Sequence, residues 1–286
     1  MLKELLNDES VATGSQVTAS IVAKTVHRLY ISVMKVTNNY DPDSIHLTVR
    51  VGEETVISRF SLEQLACIWF AENGGDPTIA TGGDITTHNV LAIDLGTWVI
   101  PEGSKFYVEI DNQDAESQLF NVSAQVDEVS APNPLAYNKS DDGNFSVGNL
   151  VDVWAWDSNG TLDETASYFQ VDGKRVSVEQ AWNFTIAECP GDMSAIKSFA
   201  TIWNNANATD MEIQNEQSST VTTLYTHQVE NDDIDEATET VLKPLVAKHA
   251  GKLSSKNVRA AVRKAGGRVS ALPKTIPLAR KVGGFK

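Results

Sequence analysis

The residues that could do chemistry in this chain are present in type but not in spacing. His27, His46, His88, His227 and His249 are the candidates for metal ligation or general-base work, and they show no ligand spacing. Asp141-Asp142-Gly143-Asn144 and Asp232-Asp233-Ile234-Asp235 offer oxygen atoms to a hard cation. Neither has the ligand order or closing Glu of an EF-hand loop, so a turn and a helix N-terminus describe them better. No nucleophile elbow, zinc-protease helix, Walker loop or dinucleotide fingerprint is present. A glycosidase needs two carboxylates across a cleft, and nothing singles out a pair among the 38 acids. Trp154 and Trp156 stand two apart on an expected strand, hence on one face, where core packing is the commoner role and stacking on sugar rings the alternative. No enzyme activity, cofactor or metal is expected.

The one chemical signal outside a core is charge. Lys243, Lys248, Lys252, Lys256, Arg259, Arg263, Lys264, Arg268, Lys274, Arg280, Lys281 and Lys286 put twelve positive charges into residues 243–286, which hold no Asp or Glu. The other 242 residues carry 11 basic and 38 acidic groups, a net of −27, against −15 for the whole chain. Such a split marks two environments for one chain. A helix over 255–264 would gather Lys256, Arg259, Arg263 and Lys264 on one side, suited to phosphate groups of nucleic acid or of lipid headgroups. Its apolar strip, Val258, Ala261 and Val262, is too thin to insert deeply. A solvated tail, or an arm on the acidic body of a neighbouring copy, is the competing reading.

Length and hydropathy bound the elements that must position these groups. With 286 residues and 41 % hydrophobic content, the chain has room for two ordinary domains with real cores. It has no apolar run long enough for a membrane helix, and its start is too short and acidic for a signal peptide. Cys67 and Cys189 sit in apolar surroundings without metal spacing and read as buried thiols, which fits synthesis in a reducing cytosol.

A strand–turn–strand–helix unit occurs twice. In the first copy, Val49 and Val51 lead through Gly52-Glu53-Glu54-Thr55 to Val56 and Ser61-Leu62-Glu63-Gln64. In the second, Phe169 and Val171 lead through Asp172-Gly173-Lys174-Arg175 to Val176 and Ser177-Val178-Glu179-Gln180. From Tyr30/Leu150 to Val56/Val176 the offset is 120 residues, and at Ser61/Ser177 it falls to 116, as if four residues were deleted. Ser with Gln three later is a capping box, and Asp-Gly favours a tight hairpin. Matches resume at an offset of 103, with Glu109–Asn112 answering Glu212–Asn215 and Gln125–Asp127 answering Gln228–Glu230.

These signals predict an all-β chain of two tandem jelly-roll β-barrels (a double jelly roll) with short helices and a basic C-terminal tail. The expected divisions are an N-terminal arm over 1–20 with a short helix at Leu2–Leu6, a first jelly roll over 21–130 and a linker over 131–143. A second, smaller jelly roll follows over 144–231, and then an acidic-start helix and basic tail over 232–286. Val51 is expected to fall on Val171, with the two barrels forming separate sheets. Trp154, Trp156, Phe169, Trp182, Phe184, Phe199 and Trp203 are the expected second core.

The duplicated pattern resembles the double jelly-roll coat proteins of tailless, membrane-containing bacteriophages, corticovirus major capsid proteins above all. Val49-Arg50-Val51-Gly52-Glu53 with Ser61-Leu62-Glu63-Gln64-Leu65, and Tyr168-Phe169-Gln170-Val171-Asp172-Gly173-Lys174, carry the resemblance over roughly residues 20–230. It implies a homotrimeric, pseudo-hexagonal capsomer on an icosahedral shell enclosing a membrane and DNA. The implied partners are neighbouring capsomers, penton or minor capsid proteins, and viral headgroups or genome at the tail. The implied location is the virion, after synthesis in a host cytoplasm. The long basic tail and compact second half depart from the pattern. A two-domain carbohydrate-binding or adhesion protein is the rival reading, and an enzyme on a β-sandwich the third.

Overall fold

A computed structural model describes residues 1–35, 41–74, 89–127, 132–140, 144–162, 168–171, 174–190, 196, 198–203, 208–215 and 221–229. The first half contains β1 (Leu2–Val11), β2 (Ser15–Ile21), β3 (Thr25–Lys35), β4 (Ile45–Val51), β5 (Glu54–Ser61), α1 (Leu62–Asn73), β6 (Asn89–Val99), β7 (Phe106–Asn112) and β8 (Gln118–Asp127). β1 pairs with β8, β2 with β7, β3 with β6 and β4 with β5, all antiparallel, as the nested pairs of one long hairpin. Pairing of β3 with β8 and of β4 with β7 rolls that hairpin up. The result is two four-stranded layers, 1-8-3-6 and 2-7-4-5, which is the jelly-roll arrangement. Sequence period explains it: β4 and β7 alternate buried and half-buried residues along their whole length. Their buried sets, Ile45, Leu47, Val49 and Val51 with Phe106, Val108 and Ile110, line the core.

The second half repeats the plan with one strand fewer. It contains β9 (Asn133–Ser140), β10 (Asn144–Asp157), β11 (Tyr168–Val171), β12 (Lys174–Ser177), α2 (Val178–Glu188), β13 (Phe199–Trp203), β14 (Ala208–Asn215) and β15 (Val221–Gln228). Here β9 pairs with β15 and β11 with β12. β10 serves as two strands. Its first half, Asn144 to Leu150, pairs with β14, and its second half, Leu150 to Asp157, with β15 and β13. One uninterrupted strand thus crosses from one layer to the other and dispenses with a connection, which is how the smaller half completes the same fold.

Three sequence expectations change. Residues 2–11 form β1 and not a helix, and residues 1–20 are not an arm, since β1 and β2 are outer strands of the first barrel. Pairing with β8 overrides the helical look of Leu2-Lys3-Glu4-Leu5-Leu6, because strand formation is set by neighbours more than by propensity. The expected linker over 131–143 contains β9, where Leu135, Ala136 and Tyr137 are buried. Its Asn133-Pro134 opens the strand, and the first residues of a strand are a position Pro tolerates. Finally, hydrogen bonding is not confined to each barrel: β6 meets β9 at Gly96↔Pro134 and Thr97↔Asn133, and β5 meets β9 at Ile57↔Tyr137. That bridge is short, and each half keeps its own nested pairs.

The repeat is visible at the hairpin and helix. Val51 pairs with Glu54 and Val171 with Lys174, so both hairpins close at corresponding positions. β12 has 4 residues where β5 has 8, which accounts for the shift in offset. Both helices start with a full capping box, Ser61 with Gln64 and Ser177 with Gln180. Ser61 is buried and Ser177 is not. Ser177→Ala should therefore cost about 1 kcal/mol and Ser61→Ala about 2 kcal/mol, because the latter strands a buried N–H. Urea unfolding of the two variants checks the order; equal losses would show that burial of the cap is irrelevant.

Candidate interaction surface at the seam between the barrels

Most helices on a sheet bury one stripe, but α1 is buried on nearly every side, including Leu62, Gln64, Leu65, Cys67, Ile68, Phe70 and Ala71. A helix covered all round has a partner on each face. One partner is its own barrel; the other is the outer layer of the second barrel. A single apolar cluster joins α1 to Trp154, Trp156, Phe199 and Leu224. The alternate residues of β10, Val153 and Ala155, point the other way into the second barrel's own core with Leu150, Ala181 and Ile202. β10 is thus buried on both faces, and its two tryptophans belong to the seam.

Polar contacts fix the seam's register. The Trp98 indole Nε1 donates to the Leu135 carbonyl at 3.0 Å, and the Tyr137 hydroxyl donates to the Asp94 carbonyl at 2.7 Å. The Phe60 and Tyr137 rings meet edge to face, with centroids 6.2 Å apart. At Gly96, φ is +70° and an added Cβ would stand 2.1 Å from the Asn133 carbonyl oxygen. Only glycine lets β9 approach β6 there.

Where the ends of α1 and α2 meet the second barrel's outer layer, a cleft of about 410 Å³ is lined by Glu72, Asp94, Tyr137, Asp152, Phe184 and Glu188, among others. The Glu72 side chain is exposed at the mouth of this cleft, and the protein beside its carboxyl, with Asp152 and Asp94, pushes its pKa up to about 8. At the other end of α1, burial of Glu63 pushes it up to about 7, with Asp43 and Asp41 adding to the rise and the Trp156 indole opposing it. Both groups hold a proton in the folded protein at pH values where the unfolded chain has released it. Stability they contribute is fully present below pH 4.5, the ordinary carboxyl value, and is lost as pH rises through about 7 and about 8. A Glu63→Gln/Glu72→Gln variant should therefore show a flatter Tm between pH 5 and pH 8.5, with its gain over wild type largest at the alkaline end. Calorimetry at several pH values checks this; parallel curves would mean that neither carboxyl titrates abnormally.

The expected site residues fare unevenly. The twelve basic residues of 243–286, Asp141, Asp142, Gly143, the Asp232 cluster, His88 and His249 lie outside the described residues. His27 sits on β3 within 3.1 Å of Thr97 Oγ1 and of Asp127. His46 on β4 and His227 on β15 have pKa values lowered by burial. Among the described residues no three His, Cys, Asp or Glu side chains are placed to hold a metal, and no helix is long and apolar enough to cross a membrane. Trp182 is buried in the second core as expected, Trp154, Trp156 and Phe199 are buried in the cluster shared with α1 instead, and Phe184 is 42 % exposed. Phe184 belongs to the flank of α2 that borders the cleft. The side chains of Phe169 and Trp203 are outside the described set. Cys67 is a buried thiol, Cys189 a half-buried one. The sequence held no signal for Gly96 or for the acidic cleft, since both arise from contacts between halves of the chain.

No family model and no curated protein matches this chain. Solved structures do. The major capsid protein P2 of bacteriophage PM2 is 11 % identical, covering 81 % of this chain and 99 % of that one, at a TM-score of 0.47. A triple jelly-roll protein of an archaeal virus is 9 % identical over 79 % of this chain and 58 % of that one, at 0.27. A Sulfolobus turreted icosahedral virus protein is 10 % identical over 79 % of this chain and 59 % of that one, at 0.26.

Proposed function

We propose that this chain is a major coat protein whose three copies form a pseudo-hexagonal capsomer of an icosahedral, membrane-containing phage. The observation that carries the reading is the repetition of one complete jelly roll side by side in one chain, down to hairpin and helix cap. Two similar barrels repeated by a threefold axis give six near-equivalent lobes from one gene product. Division of the chain into a first barrel, a second barrel and a basic tail follows. The tail, Lys243 to Lys286, faces the inside of the shell and meets viral headgroups or genome, with neighbouring capsomers and penton or minor proteins at the rim. The virion is then its destination, after synthesis in a host cytoplasm.

The sugar-binding rival depends on exposed aromatic faces. Trp98, Trp154, Trp156 and Trp182 are buried and Trp69 half-buried, so among the described side chains no tryptophan presents a fully open face, and the exposed aromatic of that set is Phe184. Light scattering on purified protein tests the reading: the mass of a trimer or larger is expected, and a monomer at high concentration contradicts it. Truncation after residue 242 should leave both barrels folded and remove binding to DNA or anionic vesicles. If nucleic acid is the tail's partner and about eight charges meet phosphates, log affinity should fall against log salt with a slope of roughly −6 to −7. Intact tail that binds neither surface removes the inward-facing role.

A further inference from the structure

The two helices are equivalent in position but not in burial. With Ser61 matched to Ser177, Cys67, Ile68, Phe70 and Ala71 of α1 correspond to Asn183, Phe184, Ile186 and Ala187 of α2. All four are buried on α1 and all four exposed on α2, with Phe184 at 42 % and Ile186 at 43 %. α1 owes part of its burial to the next barrel in the chain. Among the described residues, no second barrel packs on α2 as one packs on α1, and the same helix face is open.

The surface that would receive it is open as well. The strand registers place Tyr30 of β3 at the position of Trp154, Val90 of β6 at that of Phe199, and Leu2 of β1 at that of Tyr137. Trp154, Phe199 and Tyr137 are buried in the seam, whereas Val90 is 44 % and Leu2 64 % exposed and Tyr30 is half-buried. Six large apolar side chains are notably exposed in the described structure, and four of them, Leu2, Val90, Phe184 and Ile186, lie on these two surfaces. Charge agrees: Glu72 lies near Asp152 within the chain. Their counterparts are Glu188 and Arg28, of opposite sign, and Arg28 is an exposed side chain of the first barrel that pairs within the chain with Asp94 at 3.7 Å.

We propose that the open face of α2, centred on Phe184 and Ile186, docks on the outer layer of the first barrel of a second copy of this chain, around Leu2, Tyr30 and Val90. The contact repeats between chains what α1 and the second barrel make within one. It is head to tail, so the two surfaces differ, and under the threefold axis of the proposed capsomer successive copies close into a ring. This rests on the coat-protein reading and specifies its partner surfaces.

Two variants of the full chain test it, Phe184→Glu/Ile186→Glu and Leu2→Glu/Val90→Glu. Their substitutions fall at exposed positions, and unchanged circular dichroism and Tm confirm folding. Each variant alone should stay monomeric in sedimentation velocity, with association weakened on the order of 30-fold or more, as for central apolar anchors. Mixed together they should form heterodimers and nothing larger, because each supplies the face the other lacks. Wild-type oligomers with both variants assembling normally would overturn the docking proposal and leave the coat-protein reading standing. Loss of assembly without rescue on mixing would also overturn it, pointing to a like-with-like contact. A wild type that stays monomeric at every concentration would overturn the coat-protein reading and this inference together.

Discussion

Gly96→Ala should lower stability by about 3 kcal/mol or more, one of the largest effects of any single methyl in this chain. Two costs combine. The backbone at Gly96 has φ of +70°, where an L side chain is strained, and the new Cβ would lie 2.1 Å from the Asn133 carbonyl oxygen. That oxygen belongs to backbone and cannot swing aside as a flexible side chain would. β9 must retreat from β6, and with it go the Trp98–Leu135 and Tyr137–Asp94 hydrogen bonds. For a chain of this size the Tm should fall by roughly 6–10 °C. Gly103 has φ of +84° and open space around its Cβ position. Gly103→Ala should therefore cost only about 1–2 kcal/mol, the strain of a left-handed residue alone. Equal losses at the two positions would show that the close approach of β9 contributes nothing.

Trp154→Ala should cost about 3–5 kcal/mol, in the range for truncating a buried aromatic. Its signature should differ from that of an ordinary core mutation. Trp154 is in the cluster that joins α1 to the second barrel, whereas Trp182 and Ile202 are in the second barrel's separate core. Loss of Trp154 should therefore uncouple the barrels, splitting one calorimetric transition into two. Trp182→Ala should instead lower the second barrel's stability and leave the first barrel's coupling to it in place. A single sharp transition in the Trp154 variant would mean that the seam is not what makes the halves cooperative.

Much of the fold could be read from residues alone, for local reasons. Alternation in Ile45–Val51 and Phe106–Asn112 fixes strands with one buried face, and Ser61 with Gln64 and Ser177 with Gln180 fix two helix starts. The register of the repeat is a different matter. Bulges between Val26 and Arg28 and between Leu150 and Asp152 match Arg28 to Asp152, an offset of 124 and not 120. Gln125 and Thr226 lie opposite them, an offset of 101 and not 103. Both errors are even numbers. A slip of two or four residues keeps every side chain on its face, so period-two patterning cannot detect it. β1 and β9 were hidden because each is defined by a distant partner strand. The seam was hidden for the same reason: Trp154 looks like core, but nothing in Val-Trp-Ala-Trp tells which of two cores each residue enters.

The most direct measurement of the central claim is electron microscopy of the purified protein, with class averages of single particles viewed along their symmetry axis. The double jelly roll acting as a coat subunit predicts a threefold tile with six lobes of two slightly different sizes, alternating around a closed ring. Isolated two-lobed particles, or rings whose lobe number is not twice the number of chains, would contradict it.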